Sequence, residues 1–243
     1  MEEFLITCNE NVLQAVRHQP ANQKADRVVI MCHGFRGSKD GGGRAVAVAD
    51  TIAEAGFTVI RFNFTPLQKL TRQIEEIDAV VQYCHKHISK EIILLGRSMG
   101  GSAAIAYASK YQHVQGLCLW ATPWNLMETF KLALGDGYAL LEKGQTLSVH
   151  DAYGELDLTP DFIEDFKNFN LLESLAQIRH IPVLILHGTK DEIVPFIQAE
   201  RIYQTLSKPK RLEAFEGGDH HLSMQSAQAA IAIRHWLDQY FNR

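Results

Sequence analysis

A mostly parallel, open α/β sheet is the architecture this chain predicts, on three observations. Short, almost uninterrupted apolar runs recur along it, helical patterns separate them, and polar, glycine-containing segments follow several of the runs. Apolar runs of this kind suit strands covered by helices on both faces, the usual setting of parallel strands.

The opening stretch, EEFLITCNENVLQAVRHQP, reads as a hairpin turning at Asn9–Asn11 on one edge of the sheet. The buried strands follow as RVVIMCHG (Arg27–Gly34), FTVIRFNF (Phe57–Phe64), EIILLG (Glu91–Gly96), GLCLWAT (Gly116–Thr122) and PVLILHG (Pro182–Gly188). KRLEAFE (Lys210–Glu216) is a weaker sixth candidate. Helical patterns cover Gly43–Ala55, Leu67–His87, Ser98–Lys110, Phe196–Ser207 and Gln225–Tyr240. In the second of these, Ile74, Ile77, Val81 and Cys84 recur at three- and four-residue steps, one buried stripe. Strands alternating with helices imply right-handed crossovers.

One region breaks the rhythm. Pro123–Ile178 holds no strong strand pattern but many large apolar side chains, among them Trp124, Met127, Phe130, Tyr138, Tyr153, Phe162 and Phe166. Connections of this length tend to be functional. The segment reads as a partly helical cap over the strand ends (123–178), inserted into a core formed by 1–122 and 179–243. The plainer reading is a long helical crossover. Trp124, Met127, Phe130 and Tyr138 are the candidate substrate contacts of the cap.

The bulk composition narrows the function. A chain of 243 residues is long enough for one large domain with a substantial core. A net charge of −4 argues against nucleic acid as a partner, and KPKR (Lys208–Arg211) reads as a solvated loop. The N-terminus, MEEFLITCNE, has no basic and apolar leader pattern, and no apolar run approaches the ~18 residues of a membrane span. Cys8, Cys32, Cys84 and Cys118 are widely spaced with no metal-ligand pattern, as expected of buried free thiols in the cytoplasm.

Open sheets bind ligands beyond the carboxyl ends of their strands, and four such exits carry chemistry. GRSMG (Gly96–Gly100) fits G-x-S-x-G between a strand and a helix. A sharp strand-to-helix turn there exposes the Ser98 hydroxyl, needs small neighbours two residues away, and aims the Met99 N–H at a developing negative charge. CHGFRGS (Cys32–Ser38) brings backbone close to the same place, with the Phe35 N–H as a second oxyanion donor and His33 as a support for the turn. Gly41–Gly43 is a flexible loop ahead of a helix, and no G-x-x-x-x-G-K-[ST] phosphate loop occurs in the chain. LHGTKDEIVP (Leu186–Pro195) places Asp191 just past a strand, where a carboxylate orients an imidazole; neighbouring Glu192 is the substitute, and a helix cap is the plain alternative. FEGGDHHLS (Phe215–Ser223) offers His220 and His221 as bases on a loop, with Asp219 bracing the turn. The order Ser…Asp…His is that of the α/β-hydrolase arrangement.

Over almost its whole length the chain resembles the serine α/β-hydrolase superfamily, through the HG loop, the GRSMGG elbow, the inserted segment, HGTKDEIVP and GGDHH. Within it the pattern is closest to dienelactone-hydrolase-like and cinnamoyl (feruloyl) esterase-like carboxylic ester hydrolases. The resemblance implies His220 rather than His221 as the base, since the family histidine commonly follows a G-x-D/G turn. It also implies a small-molecule ester as substrate and no cofactor or metal, while the aromatic and leucine-rich 123–178 segment suggests small to medium apolar or aromatic acyl esters. A thioesterase or small-peptide acyl hydrolase is the alternative on the same fold, and a non-catalytic hydrolase-fold binding protein the alternative from another class.

Overall fold

The computed structural model describes residues 1–20, 27–66, 69–151 and 154–242. The strands are β1 (Glu2–Cys8), β2 (Asn11–His18), β3 (Arg27–Cys32), β4 (Thr58–Phe62), β5 (Glu91–Arg97), β6 (Gly116–Trp120), β7 (Leu147–Asp151), β8 (Gly154–Leu158), β9 (Val183–Gly188) and β10 (Lys210–Phe215). The helices are α1 (Arg44–Glu54), α2 (Leu70–His87), α3 (Met99–Tyr111), α4 (Leu126–Leu134), α5 (Tyr138–Glu142), α6 (Pro160–Asp165), α7 (Leu171–Gln177), α8 (Ile197–Thr205) and α9 (Ser226–Phe241). Tyr153 and Leu67, the latter the expected first residue of the second helix, lie outside the described residues.

Eight strands form one sheet in the order β1-β2-β4-β3-β5-β6-β9-β10. β1 and β2 are the antiparallel hairpin at one edge, turning through Asn9 at a φ of 52°. β2 joins β4 antiparallel, and every later pairing is parallel. Strands β4, β6 and β9 are buried at every residue, as two-sided coverage requires. Alternation splits the core in two. Val28, Ile30 and Cys32 face the cluster under α2, α3, α7 and α8, whereas Val29 and Met31 face that under α1 and α9. All four cysteines are buried and free.

From β3 the chain runs to β4 on one side and then returns to β5 on the other. The reversal leaves a crevice at the carboxyl ends of β3 and β5, the usual ligand position of such sheets. The loops bearing Phe35 and Ser98 leave the sheet there.

The segment between β6 and β9 is mostly helical, but where no strong strand pattern was expected it also contains the short antiparallel pair β7–β8. Each strand is five residues long, too short for its alternation to stand out. The register pairs Leu147 with Leu158 and Val149 with Leu156, giving one apolar face, and opposes polar residues on the other. Polar side chains anchor the segment. Gln198 of α8, buried, accepts from the N–H groups of Trp124 and Asn125 at 3.1 and 3.0 Å. Asp165 accepts from the Thr71 N–H and hydroxyl at 2.9 and 2.6 Å, capping the first turn of α2 from outside.

Candidate active site

Ser98 joins β5 to α3 with φ 51° and ψ −129°. A non-glycine residue there costs ~1–3 kcal/mol and persists only where its surroundings enforce it. Here its N–H donates to the Trp120 carbonyl at 2.9 Å, and its carbonyl accepts from Gly101 and Ser102 at 2.8 and 3.2 Å. The flanking glycines provide clearance: a Cβ on Gly96 would lie 2.5 Å from the Gly101 Cα, and one on Gly100 would strike the carbonyl oxygens of His33 and Cys32. Main chain cannot rotate out of such a collision. Gly100→Ala should therefore cost about 3 kcal/mol, read as a lower midpoint in urea unfolding.

The HG loop lies directly against this turn. A Cβ on Gly34 would sit 2.9 Å from the Ser98 Cβ and 3.5 Å from its Oγ. Among the described residues the Phe35 N–H meets no acceptor. His33 holds the loop: its Nδ1 is 2.8 Å from the Gly34 carbonyl, and its Nε2 accepts from the Phe64 N–H at 3.0 Å. That pattern requires the neutral ring with the proton on Nδ1, so the supporting role expected of His33 fits its contacts. Burial lowers the His33 pKa to about 4. The unfolded chain, with an ordinary pKa of ~6.5, binds the proton first, so stability is full above that value and declines as pH falls toward 4. His33→Gln should flatten this decline, measured by urea unfolding at neutral and mildly acid pH.

Asp191 and His220 come together from the loops after β9 and β10. Nδ1 of His220 is 2.8 Å from Asp191 Oδ2, and both side chains are buried. Asp191 Oδ1 accepts from the N–H groups of Ile193 and Val194 at 2.9 and 2.8 Å. Burial by itself pushes the Asp191 pKa up. Hydrogen bonds from His187 and His220 and the backbone outweigh it, holding the carboxyl well below the usual range. The two loops are clasped, Lys190 N–H to Gly218 carbonyl at 3.0 Å and Gly217 N–H to Thr189 Oγ1 at 2.9 Å. Glu192 is exposed and plays no part in this cluster. Asp219 accepts from the N–H groups of His221 and Ser223, bracing the turn.

Two residues of the cluster went unrecognised in the sequence. His187, fully buried at the end of β9, places Nε2 3.2 Å from Asp191 Oδ2 and 2.8 Å from the Val194 carbonyl. Arg97, beside Ser98, donates to His221 Nδ1 at 2.7 Å and to the His220 carbonyl at 3.5 Å. A single charged or aromatic residue at a strand end carries no pattern of its own; only the fold shows what it meets.

The candidate contacts of the inserted segment fall into two groups. Phe130 and Tyr138 are buried in the main core cluster. Phe130 stacks edge-on against Phe35 with ring centres 5.0 Å apart, linking the segment to the HG loop. Met127 is exposed and Trp124 half-buried, and both line a shallow groove with Phe166 and Phe169. A larger cavity of about 580 Å³ adjoins the HG loop, between the tip of the β1–β2 hairpin, Phe64–Pro66 and β8. Arg36 bridges that loop to β8, donating to the Gly154 carbonyl at 2.8 Å.

Known proteins are similar to this chain in sequence and in fold. Over 254 aligned residues the chain is 24% identical to "Putative esterase YitV" of Bacillus subtilis, covering 89% of this chain and 90% of that one. It is 30% identical over 150 residues to the mouse serine hydrolase BPHL, covering 57% and 51%. Among solved structures, Est1E from Butyrivibrio proteoclasticus superposes with a TM-score of 0.85 at 22% identity, covering 99% of both chains; Est1E has also been solved with ferulic acid bound. The fold is the α/β-hydrolase fold. The BD-FAE family profile matches residues 16–206, and the chain belongs to that family.

Proposed function

We propose that the protein is a serine hydrolase of carboxylic esters, with Ser98 as nucleophile, His220 as general base and acid, Asp191 as the group that orients it, and the Phe35 and Met99 N–H groups as oxyanion donors. The observation that carries this reading is the buried His220–Asp191 pair at 2.8 Å, in a fold whose strained elbow presents Ser98 beside a Phe35 N–H with no acceptor among the described residues. Asp191 accepts the Nδ1 proton of His220, leaving Nε2 as a lone pair for the serine proton. Ser98 Oγ attacks the ester carbonyl, His220 takes its proton, and the tetrahedral oxyanion draws on the two main-chain donors. Collapse expels the alcohol, protonated by His220. Water, deprotonated by the same ring, then releases the acid.

His221 is the poorer base because its Nδ1 faces the Arg97 guanidinium rather than a carboxylate. The 123–178 segment serves as the cap, with Trp124 and Met127 contacting substrate and Phe130 and Tyr138 shaping the cap from within. Aromatic acyl esters fit the aromatic lining and the ferulic acid seen with Est1E.

A fluorophosphonate probe tests the nucleophile. The expected result is one phosphonate on Ser98 of the wild type and none on Ser98→Ala; an unlabelled wild type, or equal labelling of both, sinks the reading. Initial rates over p-nitrophenyl, hydroxycinnamoyl and thioester substrates then assign the acyl group.

A further inference from the structure

A second, smaller cavity of about 230 Å³ lies on the α1 side of the sheet, behind the HG loop. Met31, Val48, Leu95 and Trp120 give it an apolar interior. Around these stand the cations Arg36, Lys39, Arg44 and Arg97, and no acidic residue is among the described residues lining it. Three further observations point to an anion. The Trp120 indole N–H is buried in a residue only 5% exposed and has no hydrogen-bond partner among the described residues. The Arg44 N–H that opens α1 on the rim donates to the Gly41 carbonyl, but the first turn has no acidic side chain and no side-chain cap to offset the positive end of its dipole. Burial, followed by the charges of Arg97, His220 and Arg44, depresses the pKa of neighbouring His221, against a smaller opposing effect of Asp219.

The rim is built rather than loose. Arg61, buried and 2% exposed, donates to the Lys39 carbonyl and to Asp40 Oδ1, both at 2.6 Å, and Asn63 Oδ1 accepts from the Lys39 N–H at 2.7 Å. Asp40 is thereby engaged by Arg61 and by Lys39 Nζ, at 2.8 Å, leaving Arg44 as a rim cation with no ion pair among the described residues. Inorganic anions would fill the rim and leave the apolar interior empty.

We propose that this cavity binds an amphipathic carboxylate, a short alkyl or aryl stem seated on Met31, Leu95 and Trp120 with its carboxylate among Arg44, Arg97 and the Trp120 N–H. Its position gives it a route to the chemistry. Arg97 lies next to Ser98 and reaches the carbonyl of His220, so an occupant that draws on Arg97 touches a support of the proposed base. The site shares no lining residue with the groove of Trp124 and Met127, and the inference does not depend on Ser98 being a nucleophile.

The test titrates hexanoate, hexanamide and inorganic phosphate calorimetrically into protein whose Ser98 has been phosphonylated, so that a product acid cannot bind at the proposed oxyanion hole. If no phosphonate is taken up, the nucleophile reading fails and the same titrations are run on Ser98→Ala. Hexanoate should bind at least about tenfold more tightly than hexanamide, and about tenfold more weakly to Trp120→Phe and to Arg44→Gln. Circular dichroism and unfolding of both variants should match the wild type. Equal binding of acid and amide, equal binding of phosphate and hexanoate, or affinity that survives both substitutions would overturn the assignment.

Discussion

His220→Ala is expected to lower kcat/KM for a p-nitrophenyl ester by ~10⁴–10⁶-fold, the scale on which removing one member of a serine–histidine unit acts. The size follows from what the proposed mechanism asks of the ring twice: to take the Ser98 proton in acylation and to activate water in deacylation. The fold should survive the change. Asp191 keeps the N–H groups of Ile193 and Val194 and the ring of His187, so no buried carboxylate is left without partners. Unchanged circular dichroism with lost turnover is thus the expected pair of readouts. His221→Ala should lose far less, because its ring bonds to Arg97 and not to Asp191. The opposite order of the two variants would assign the base to His221.

Asp191→Asn should cost about 10⁴ in kcat through the wrong tautomer. The reason is specific to this site. Oδ1 faces two N–H donors, from Ile193 and Val194, so the asparagine oxygen must take that place. The amide NH₂ then occupies the Oδ2 position, facing His220 Nδ1 at 2.8 Å and His187 Nε2 at 3.2 Å. A donor there forces the His220 proton from Nδ1 to Nε2, the atom that the proposed mechanism needs free to accept from Ser98. Stability should change with it. The Asp191 carboxyl is held below its ordinary value, so its contribution is present at neutral pH and is lost as pH falls below ~4 toward the folded-state value. The asparagine variant should be less stable at neutral pH and show a shallower acid decline. A wild-type rate, measured under single-turnover conditions, would remove Asp191 from the mechanism.

Much of this was legible before any tertiary contact was known. The six core strands and five long helices lie where apolar runs and helical periods place them, because two-sided burial leaves near-continuous hydrophobic runs that local sequence cannot hide. The hairpin at Asn9–Asn11 was equally readable. The β7–β8 pair was not, since its partnership depends on register across a turn, and each strand alone is a five-residue alternation. Tyr138 and Phe130 illustrate a second limit. Composition marks them as large and apolar, but not whether they face solvent, substrate or core, and they face the core.

By itself the sequence determined the α/β architecture, the elbow at Ser98 and the order of the four loops, because strand runs, glycine clearance and turn chemistry are local properties of neighbouring residues. Only the tertiary structure decided which histidine meets Asp191, that His187 shares the same carboxylate oxygen, and that Arg97 turns toward His221. Those pairings join residues up to 124 positions apart. Their geometry depends on where each strand of the sheet ends, and no stretch of adjacent residues encodes that.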